Sequence, residues 1–264
     1  MKIAVIQMQA TTDKKKNVAK ALQLVQKAIT QKAEFILLPE AFCFRGKMKS
    51  QGNLSSIAEN IPGESTKPFM RLAKKHHVSI LAGTIFEKVR GSKKVFNTSP
   101  LIGPDGKIRA KYRKQNLFTA NLGAKKIRES DQLLAGKKSA VGQIKNFKVG
   151  LSICYDLRFP QIYKDYSKNG ATILCVPAAF TRKTGQAHWE VLLRARAIEN
   201  LCYVLAPNQV GKDSKGIVAY GHSQIIAPWG KILACGSSNR EEILFAQIDQ
   251  KEIQKARSQL PGIC

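Results

Sequence analysis

Short apolar runs that alternate with helical patterns constrain the fold of this chain more than any other feature. "AEFILLPE" (33–40) and "ATILCVP" (171–177) are nearly continuous apolar segments ending at or beside a proline. Such runs are typical of strands that are buried on both faces of a sheet. Helical spacing of apolar residues precedes the first run, over 18–29, and follows the second, over 187–200. Strands that alternate with helices predict an α/β architecture.

The rest of the chain continues this alternation, and Thr12 or Asp13 is placed to cap the first helix. We predict further strands over 2–8, 78–86, 147–153, 202–207 and 242–249, helices over 66–77 and 160–169, a C-terminal helix, and hairpins over 96–114 and 222–234. In α/β sheets, functional groups collect at the carboxyl ends of the strands. Polar side chains at those ends are therefore the first candidates for a site.

Two pairs of segments resemble each other within the chain. "AEFILLPEAF" matches "GATILCVPAAF", and "NTSPLIGPDGKIRA" matches "GHSQIIAPWGKILA". Repeats of this kind predict two similar β-rich halves packed face to face. No linker rich in proline, glycine or serine separates the halves, so we predict one domain over 1–264.

The net charge of +26 is the most unusual bulk property of the chain. Strongly basic surfaces occur in proteins that bind nucleic acid or a membrane surface. The lysines are spread along the whole chain, however, and the aromatic residues do not interleave with them as a base-stacking groove requires. A basic nucleic-acid-binding protein stays an alternative, but we predict no specific nucleic-acid partner and no membrane partner.

The cysteines and the N-terminal residues indicate the compartment. No two cysteines form a C-x-x-C pair, which argues against a zinc ribbon or other metal site and against a disulfide framework; they are Cys43, Cys154, Cys175, Cys202, Cys235 and Cys264. The first residues lack the long apolar segment of a secretory signal, and no run is long enough to span a membrane. We expect a cytoplasmic protein with reduced thiols.

Three reactive side chains come directly after predicted strands: Glu40, Lys114 and Cys154. A lone cysteine is more often a core residue, but Cys154 ends its strand and opens a polar stretch. A nucleophilic thiol needs a base or a neighbour that lowers its pKa. Glu40, between apolar residues, is one candidate for the base, and His222 is an alternative.

Three motifs connect these residues to a family. In this order, "LLPEAF", "KYRKQNLF" and "GLSICYDLRFP" resemble the signature segments of the nitrilase superfamily of carbon–nitrogen hydrolases. The resemblance covers nearly the whole chain and extends to "PDGKI", "AHWEVLLRARAIEN" and "YGHSQIIAPWG". Its longer segments are most similar to the amidase branch that acts on deaminated glutathione, a relative of omega-amidase.

The resemblance implies a fold and a catalytic set. The fold is a four-layer α-β-β-α sandwich, and members of the family usually dimerise through helices. A Glu-Lys-Cys triad maps to Glu40, Lys114 and Cys154, and a second family glutamate maps to Glu129. No metal and no organic cofactor is expected. Two positions depart from the family pattern: Asn116 stands where histidine is usual, and Gln161 where glutamate is usual.

The implied reaction is hydrolysis of a small carboxylate-bearing amide through a thioester, with release of ammonia. The Lys114 ammonium and the backbone N–H of Tyr155 would hold the oxyanion. Phe42 and Phe44, which flank Glu40, are expected to line the pocket, and Arg182 is a candidate for the substrate carboxylate. Alternatives are omega-amidase activity on α-ketoglutaramate-type substrates, and hydrolysis of N-carbamoyl amino acids or nitriles.

Overall fold

Two β-sheets packed face to face form the centre of the protein. The computed structural model describes residues 1–47, 54–122 and 125–261. The α-helices of this part are α1 (Lys14–Thr30), α2 (Lys67–His76), α3 (Pro160–Lys168), α4 (Arg182–Asn200) and α5 (Gln250–Gln259). The strands are β1 (Lys2–Gln7), β2 (Phe35–Leu37), β3 (Ser79–Leu81), β4 (Ile85–Glu87), β5 (Val95–Ile102), β6 (Ile108–Arg113), β7 (Thr119–Leu122), β8 (Lys125–Arg128), β9 (Leu133–Leu134), β10 (Val141–Ile144), β11 (Phe147–Leu151), β12 (Ile173–Cys175), β13 (Tyr203–Ala206), β14 (Gln224–Ile226), β15 (Ile232–Cys235) and β16 (Glu242–Gln247).

Both sheets contain three neighbouring parallel strands flanked by antiparallel strands. The first sheet runs β16-β1-β2-β3-β5-β4, with β6 and β9 also paired to β5. The second runs β10-β11-β12-β13-β14-β15, and β7 and β8 form a separate hairpin. In each sheet three neighbouring strands are parallel, β1-β2-β3 and β11-β12-β13, with a helix in each connection. The predicted pair of similar halves is confirmed.

Alternating side chains along the strands divide the core into layers. Ile3 and Val5 of β1 belong to the apolar cluster between the sheets, whereas Ala4 and Ile6 pack with α1 and α2. In the second sheet, Ile173 faces the first sheet, and Leu174 packs with α3 and α4. Because strand side chains alternate between faces, each sheet is covered by the other sheet and by a helix layer. The four-layer α-β-β-α sandwich is confirmed.

The structure differs from the sequence-based prediction at three elements. The single strand expected over 78–86 is broken at Gly83, whose φ is +45° and where a Cβ would lie 2.1 Å from the carbonyl oxygen of Pro39. Only glycine fits this close crossing of two loops. Helix α4 begins at Arg182, five residues before the predicted start. The β7–β8 hairpin was not predicted, because its sequence has no alternating apolar pattern.

Five of the six cysteines belong to the described residues. Cys43, Cys154, Cys175, Cys202 and Cys235 are free thiols, and Cys264 lies outside the described residues. Within the same residues, no helix has both the length and the apolar character needed to cross a membrane. No group of three or more His, Cys, Asp or Glu side chains in the described part is arranged to hold a metal ion.

Candidate active site

Cys154 occupies a sharp turn at the end of β11. It is the first residue of a 3₁₀ turn, Cys154–Arg158, and its backbone φ is +47°. A positive φ is unusual for a residue with a Cβ and is found at functional sites, where the surroundings hold the strained backbone in place. The N–H of Cys154 donates to the carbonyl of Pro177 at 3.0 Å. This bond fixes the turn against the loop that follows β12.

Lys114 is a buried ammonium between two carboxylates. It follows β6, and its side chain has no exposed surface. Its Nζ lies 2.9 Å from Oε1 of Glu40 and 2.9 Å from Oε2 of Glu129. Oε2 of Glu129 also accepts a hydrogen bond from the backbone N–H of Phe118, at 2.7 Å. Glu129 is thereby held in one orientation towards Lys114.

The charges of this group fix the protonation of Lys114. Burial lowers the pKa of Lys114, but the negative charges of Glu129 and Glu40 outweigh burial and hold the pKa well above its ordinary value. Lys114 is therefore a cation at neutral pH. Burial raises the pKa of Glu129, and the charge of Lys114 opposes that rise.

The carboxylate of Glu40 is held by three donors from separate segments. Oε1 accepts from Nζ of Lys114 and from Nδ2 of Asn97, the latter at 2.8 Å, and Oε2 accepts from the N–H of Ala179 at 2.9 Å. A carboxylate oxygen accepts about two hydrogen bonds. Oε1 is therefore filled, and Oε2 retains one acceptor position for a further proton donor.

The thiol of Cys154 needs help to ionise. Burial raises its pKa well above the ordinary value, the charge of Glu40 raises it further, and the charge of Lys114 lowers it. Cys154 is therefore a neutral thiol at rest, and it requires a base to become a nucleophile. Glu40 is the carboxylate with the strongest electrostatic influence on this thiol.

The backbone after Cys154 provides a hydrogen-bond donor. The N–H groups of Cys154 and Asp156 donate to the carbonyls of Pro177 and Ile153. Among the described residues, no group accepts a hydrogen bond from the N–H of Tyr155, which lies between them. The first N–H groups of a helical turn have no acceptor within the turn, so this donor is available to a ligand.

A cavity of about 400 Å³ opens over these groups. Glu40, Glu129, Cys154 and Tyr155 line it, and Lys114 lies buried behind them. The volume suits a small molecule. The cavity surface offers a thiol, a carboxylate with a free acceptor position and a free N–H donor, and a fixed cation lies behind them. These are the groups that acyl transfer uses.

Comparison with known proteins assigns the family. The profile of the family described as carbon-nitrogen hydrolase matches residues 2–258. The chain belongs to the carbon-nitrogen hydrolases. It is 37% identical over 261 residues to omega-amidase NIT2 of Homo sapiens, covering 98% of this chain and 92% of that protein. It is 39% identical to deaminated glutathione amidase of Synechocystis, covering 98% and 96%. The structure of Saccharomyces cerevisiae Nit3, of the nitrilase superfamily, superposes with a TM-score of 0.88 at 30% identity, covering 100% and 95%.

Two of the predicted pocket residues of this carbon-nitrogen hydrolase lie elsewhere. Phe44 lines the cavity, but Phe42 is fully buried in the helix-facing core, 5.4 Å from the ring of Phe69. Contrary to the expectation, Phe42 is therefore not one of the residues that line the cavity. Arg182 is exposed on the first turn of α4, whereas Thr181 and Thr184 on that turn face the cavity. Arg182 is not a cavity residue.

The histidine alternative is also wrong. Nδ1 of His222 lies 4.0 Å from Sγ of Cys235, and its ring packs on Tyr220. None of the four histidines of the chain, all of which belong to the described residues, lines the cavity. The charges of Glu40 and Glu129 both raise the pKa of Cys154.

Three arginines that line the cavity were not predicted: Arg45, Arg128 and Arg158. The guanidinium of Arg45 donates to the carbonyls of Gly211 and Ile217, so its donors are occupied by the protein. The guanidinium of Arg158 lies over the ring of Phe180 and contacts Nδ1 of His188 at 3.3 Å. Arg158 lies within the cysteine motif, and its position four residues after Cys154 was the signal for it.

The two departures from the family pattern have different surroundings. Asn116 donates from both its backbone N–H and its Nδ2 to Oδ1 of Asp156, each at 2.9 Å, close to the site. Gln161 is exposed on α3 and donates to Oδ1 of Asp165 at 2.7 Å, away from the cavity. Of the two, Asn116 alone contacts a residue of the Cys154 turn.

Proposed function

We propose that this carbon-nitrogen hydrolase is an amidase that hydrolyses a small carboxylate-bearing amide through a thioester on Cys154. The observation that carries the proposal is the group of Glu40, Lys114 and Cys154 at one cavity. A buried cation is shared by two carboxylates there, next to a thiol whose pKa is raised. No group of this kind is needed for stability, because buried ion pairs contribute little net stabilisation.

Acylation begins at the free acceptor position of Glu40. Oε2 takes the proton of the thiol, and Sγ of Cys154 attacks the carbonyl carbon of the amide. The oxygen of the tetrahedral intermediate is held by the ammonium of Lys114 and the N–H of Tyr155. Glu40 then passes its proton to the nitrogen, the C–N bond breaks, and ammonia leaves the thioester.

Deacylation reverses the roles of the same groups. A water molecule gives a proton to Glu40 and adds to the thioester carbonyl, and the oxyanion is held as before. The C–S bond breaks, the proton returns to the sulfur, and the carboxylic acid leaves. Glu129 keeps Lys114 charged and oriented through both halves of the reaction.

Arg158 is our candidate for the group that binds the substrate carboxylate, in place of Arg182. Its guanidinium lies at the cavity and forms no ion pair with a carboxylate in the described part of the chain. Aromatic and imidazole contacts hold it in place and leave donors for an anion. The names of two relatives, deaminated glutathione amidase and omega-amidase, support an amide of this class. Deaminated glutathione and α-ketoglutaramate are therefore our two candidate substrates.

A panel of amides tests this function directly. We expect ammonia release from deaminated glutathione or α-ketoglutaramate to exceed release from simple aliphatic amides, N-carbamoyl amino acids and nitriles. Absence of ammonia release from every amide would contradict the proposal, and tight, salt-sensitive binding to duplex DNA would favour the nucleic-acid alternative instead.

Replacing Arg158 tests carboxylate recognition. In Arg158→Gln, KM for the carboxylate-bearing substrate is expected to rise about 10- to 100-fold, because a charge-assisted hydrogen bond contributes about 1.5–3 kcal/mol. Turnover of a neutral amide such as propionamide should change little. Arg182→Gln is the matched control and should leave both KM values unchanged. If Arg158→Gln and Arg182→Gln had equal KM values for the carboxylate-bearing substrate, Arg158 would not bind the substrate carboxylate.

We further propose that the protein is a cytoplasmic homodimer that associates through α4. Val191 and Ile198 are 68% and 43% exposed, and they lie on one helix face because seven residues make about two turns. The turn at Trp229, which is 55% exposed, packs beside Ile198. Apolar groups exposed together mark association surfaces. Light scattering should give twice the chain mass of 29.2 kDa, and a monomer would contradict the proposal.

A further inference from the structure

Asp156 is a buried carboxylate that the proposed reaction does not use. It lies two residues after Cys154 and has no exposed surface. Oδ1 accepts from the N–H and the Nδ2 of Asn116, each at 2.9 Å. Oδ2 accepts from the hydroxyl of Tyr112 at 2.8 Å and from the N–H of Ile153 at 2.9 Å. Both oxygens are therefore filled, and every partner is a donor, which suits the ionised carboxylate.

The donors come from the two segments that carry the reactive groups. Tyr112 and Asn116 lie on either side of Lys114, two residues away in each direction. Ile153 lies directly before Cys154. The carboxylate of Asp156 thus joins the end of β6 to the turn after β11. A displacement of either segment would break hydrogen bonds at this carboxylate.

A buried anion of this kind is expensive for the fold. In the described residues, no cationic side chain forms an ion pair with Asp156, and its partners are neutral groups. Burial raises its pKa, and the hydrogen bonds from Asn116 oppose that rise. Burying a carboxylate without a cation is unfavourable unless hydrogen bonds compensate for the lost water. An apolar residue in its place would leave these buried donors without an acceptor, so the carboxylate holds the two segments together.

We propose that Asp156 is a positioning residue that fixes the ammonium of Lys114 relative to the thiol of Cys154. Its effect on catalysis rests on the proposed function, but its effect on the thiol does not. Lys114 lowers the pKa of Cys154, while Glu40 and Glu129 raise it. A displaced Lys114 stabilises the thiolate less, which raises the pKa of Cys154 further. Loss of the Asp156 charge alone would act in the opposite sense, so an upward shift reports the displacement of Lys114.

Alkylation of Cys154 by iodoacetamide measures this effect without a substrate. In Asp156→Asn, the amide nitrogen replaces one carboxylate oxygen and faces a backbone N–H in either orientation, so at least one hydrogen bond becomes a donor–donor contact. At pH 8 we expect Cys154 to be alkylated about tenfold or more slowly, and kcat per folded enzyme to fall at least as much, since small misplacements are costly in catalysis. The pH midpoint of alkylation should move upward. Mass spectrometry gives the rate at each cysteine, and exposed Cys235 serves as an internal reference.

Asp165→Asn, on the exposed side of α3, is the matched control and should alter neither rate. If Asp156→Asn does not fold, Tyr112→Phe and Asn116→Ala each remove one hydrogen bond while keeping the charge of Asp156. Each should slow alkylation of Cys154 severalfold, and Asn116→His, which restores an N–H donor, should recover the rate. Wild-type alkylation rates and kcat in folded variants would overturn the proposal. Failure of wild-type enzyme to hydrolyse any amide would contradict the proposed function alone.

Discussion

Cys154→Ala is expected to lower kcat for amide hydrolysis by about 10⁵-fold or more, to the level of the uncatalysed background. The reason is that the thioester cannot form, and neither Glu40 nor Lys114 offers a second nucleophile. Ammonia release from the best substrate of the amide panel measures the loss. The melting temperature should change by a few degrees only, because alanine has the same Cβ as cysteine and Cys154 is only partly buried.

Cys235→Ala is the control for this experiment. Cys235 is exposed and its Sγ lies 4.0 Å from Nδ1 of His222, so it is the thiol that a Cys-His mechanism would use. Its replacement should leave kcat unchanged. Retained turnover in Cys154→Ala, or loss of turnover in Cys235→Ala, would contradict the assignment of the nucleophile.

Most strands of the two sheets were predictable because they have unambiguous patterns, whereas the four layers followed from the family resemblance. The apolar runs around Ile36 and Leu174 are buried on both faces, and the sequence shows this as an absence of polar alternation. The β7–β8 hairpin was not predictable, since its strand Lys125–Arg128 is basic and has no apolar face in the sequence. The break at Gly83 depends on a contact with Pro39, which is distant in the sequence.

The candidate reactive residues of the site were predictable from the sequence, whereas the candidate substrate-binding arginine was not. Glu40, Lys114 and Cys154 stand directly at strand ends, where the topology decides their position, and the motif order identified them. Arg182 begins a helix and Arg158 ends a helical turn. In a helix, a shift of one residue changes the direction of a side chain by about 100°. Only the structure shows which of the two arginines faces the cavity.

The charges of the site explain why a thiol with a raised pKa is useful. Two carboxylates and one ammonium leave a negative balance around Cys154, which disfavours the thiolate at rest. When the thiol proton moves to Glu40, that carboxylate becomes neutral and the ammonium of Lys114 is left to stabilise the thiolate. Ionisation is thus coupled to the arrival of the proton on the group that later delivers it to the leaving nitrogen.

Glu40→Gln separates these two effects of the carboxylate. The amide cannot accept the thiol proton or return it to nitrogen, so hydrolysis is expected to fall by about 10²- to 10⁴-fold. The rate of Cys154 alkylation, by contrast, should rise. The charge of Glu40 raises the pKa of Cys154, so removing that charge lowers the pKa and increases the thiolate fraction at any pH below it. The pH midpoint of iodoacetamide alkylation should therefore move downward, contrary to the upward shift expected of Asp156→Asn.

Glu64→Gln is the matched control, because Glu64 is an exposed carboxylate with only a distant contact to Lys14 at 3.6 Å. It should alter neither hydrolysis nor alkylation. The two readouts together identify the base, since a variant that merely disturbed the fold would slow both reactions. If hydrolysis in Glu40→Gln stayed at the wild-type rate, Glu40 would not be the base. If hydrolysis fell but the pH midpoint of alkylation did not move downward, the charge of Glu40 would not be what raises the pKa of Cys154.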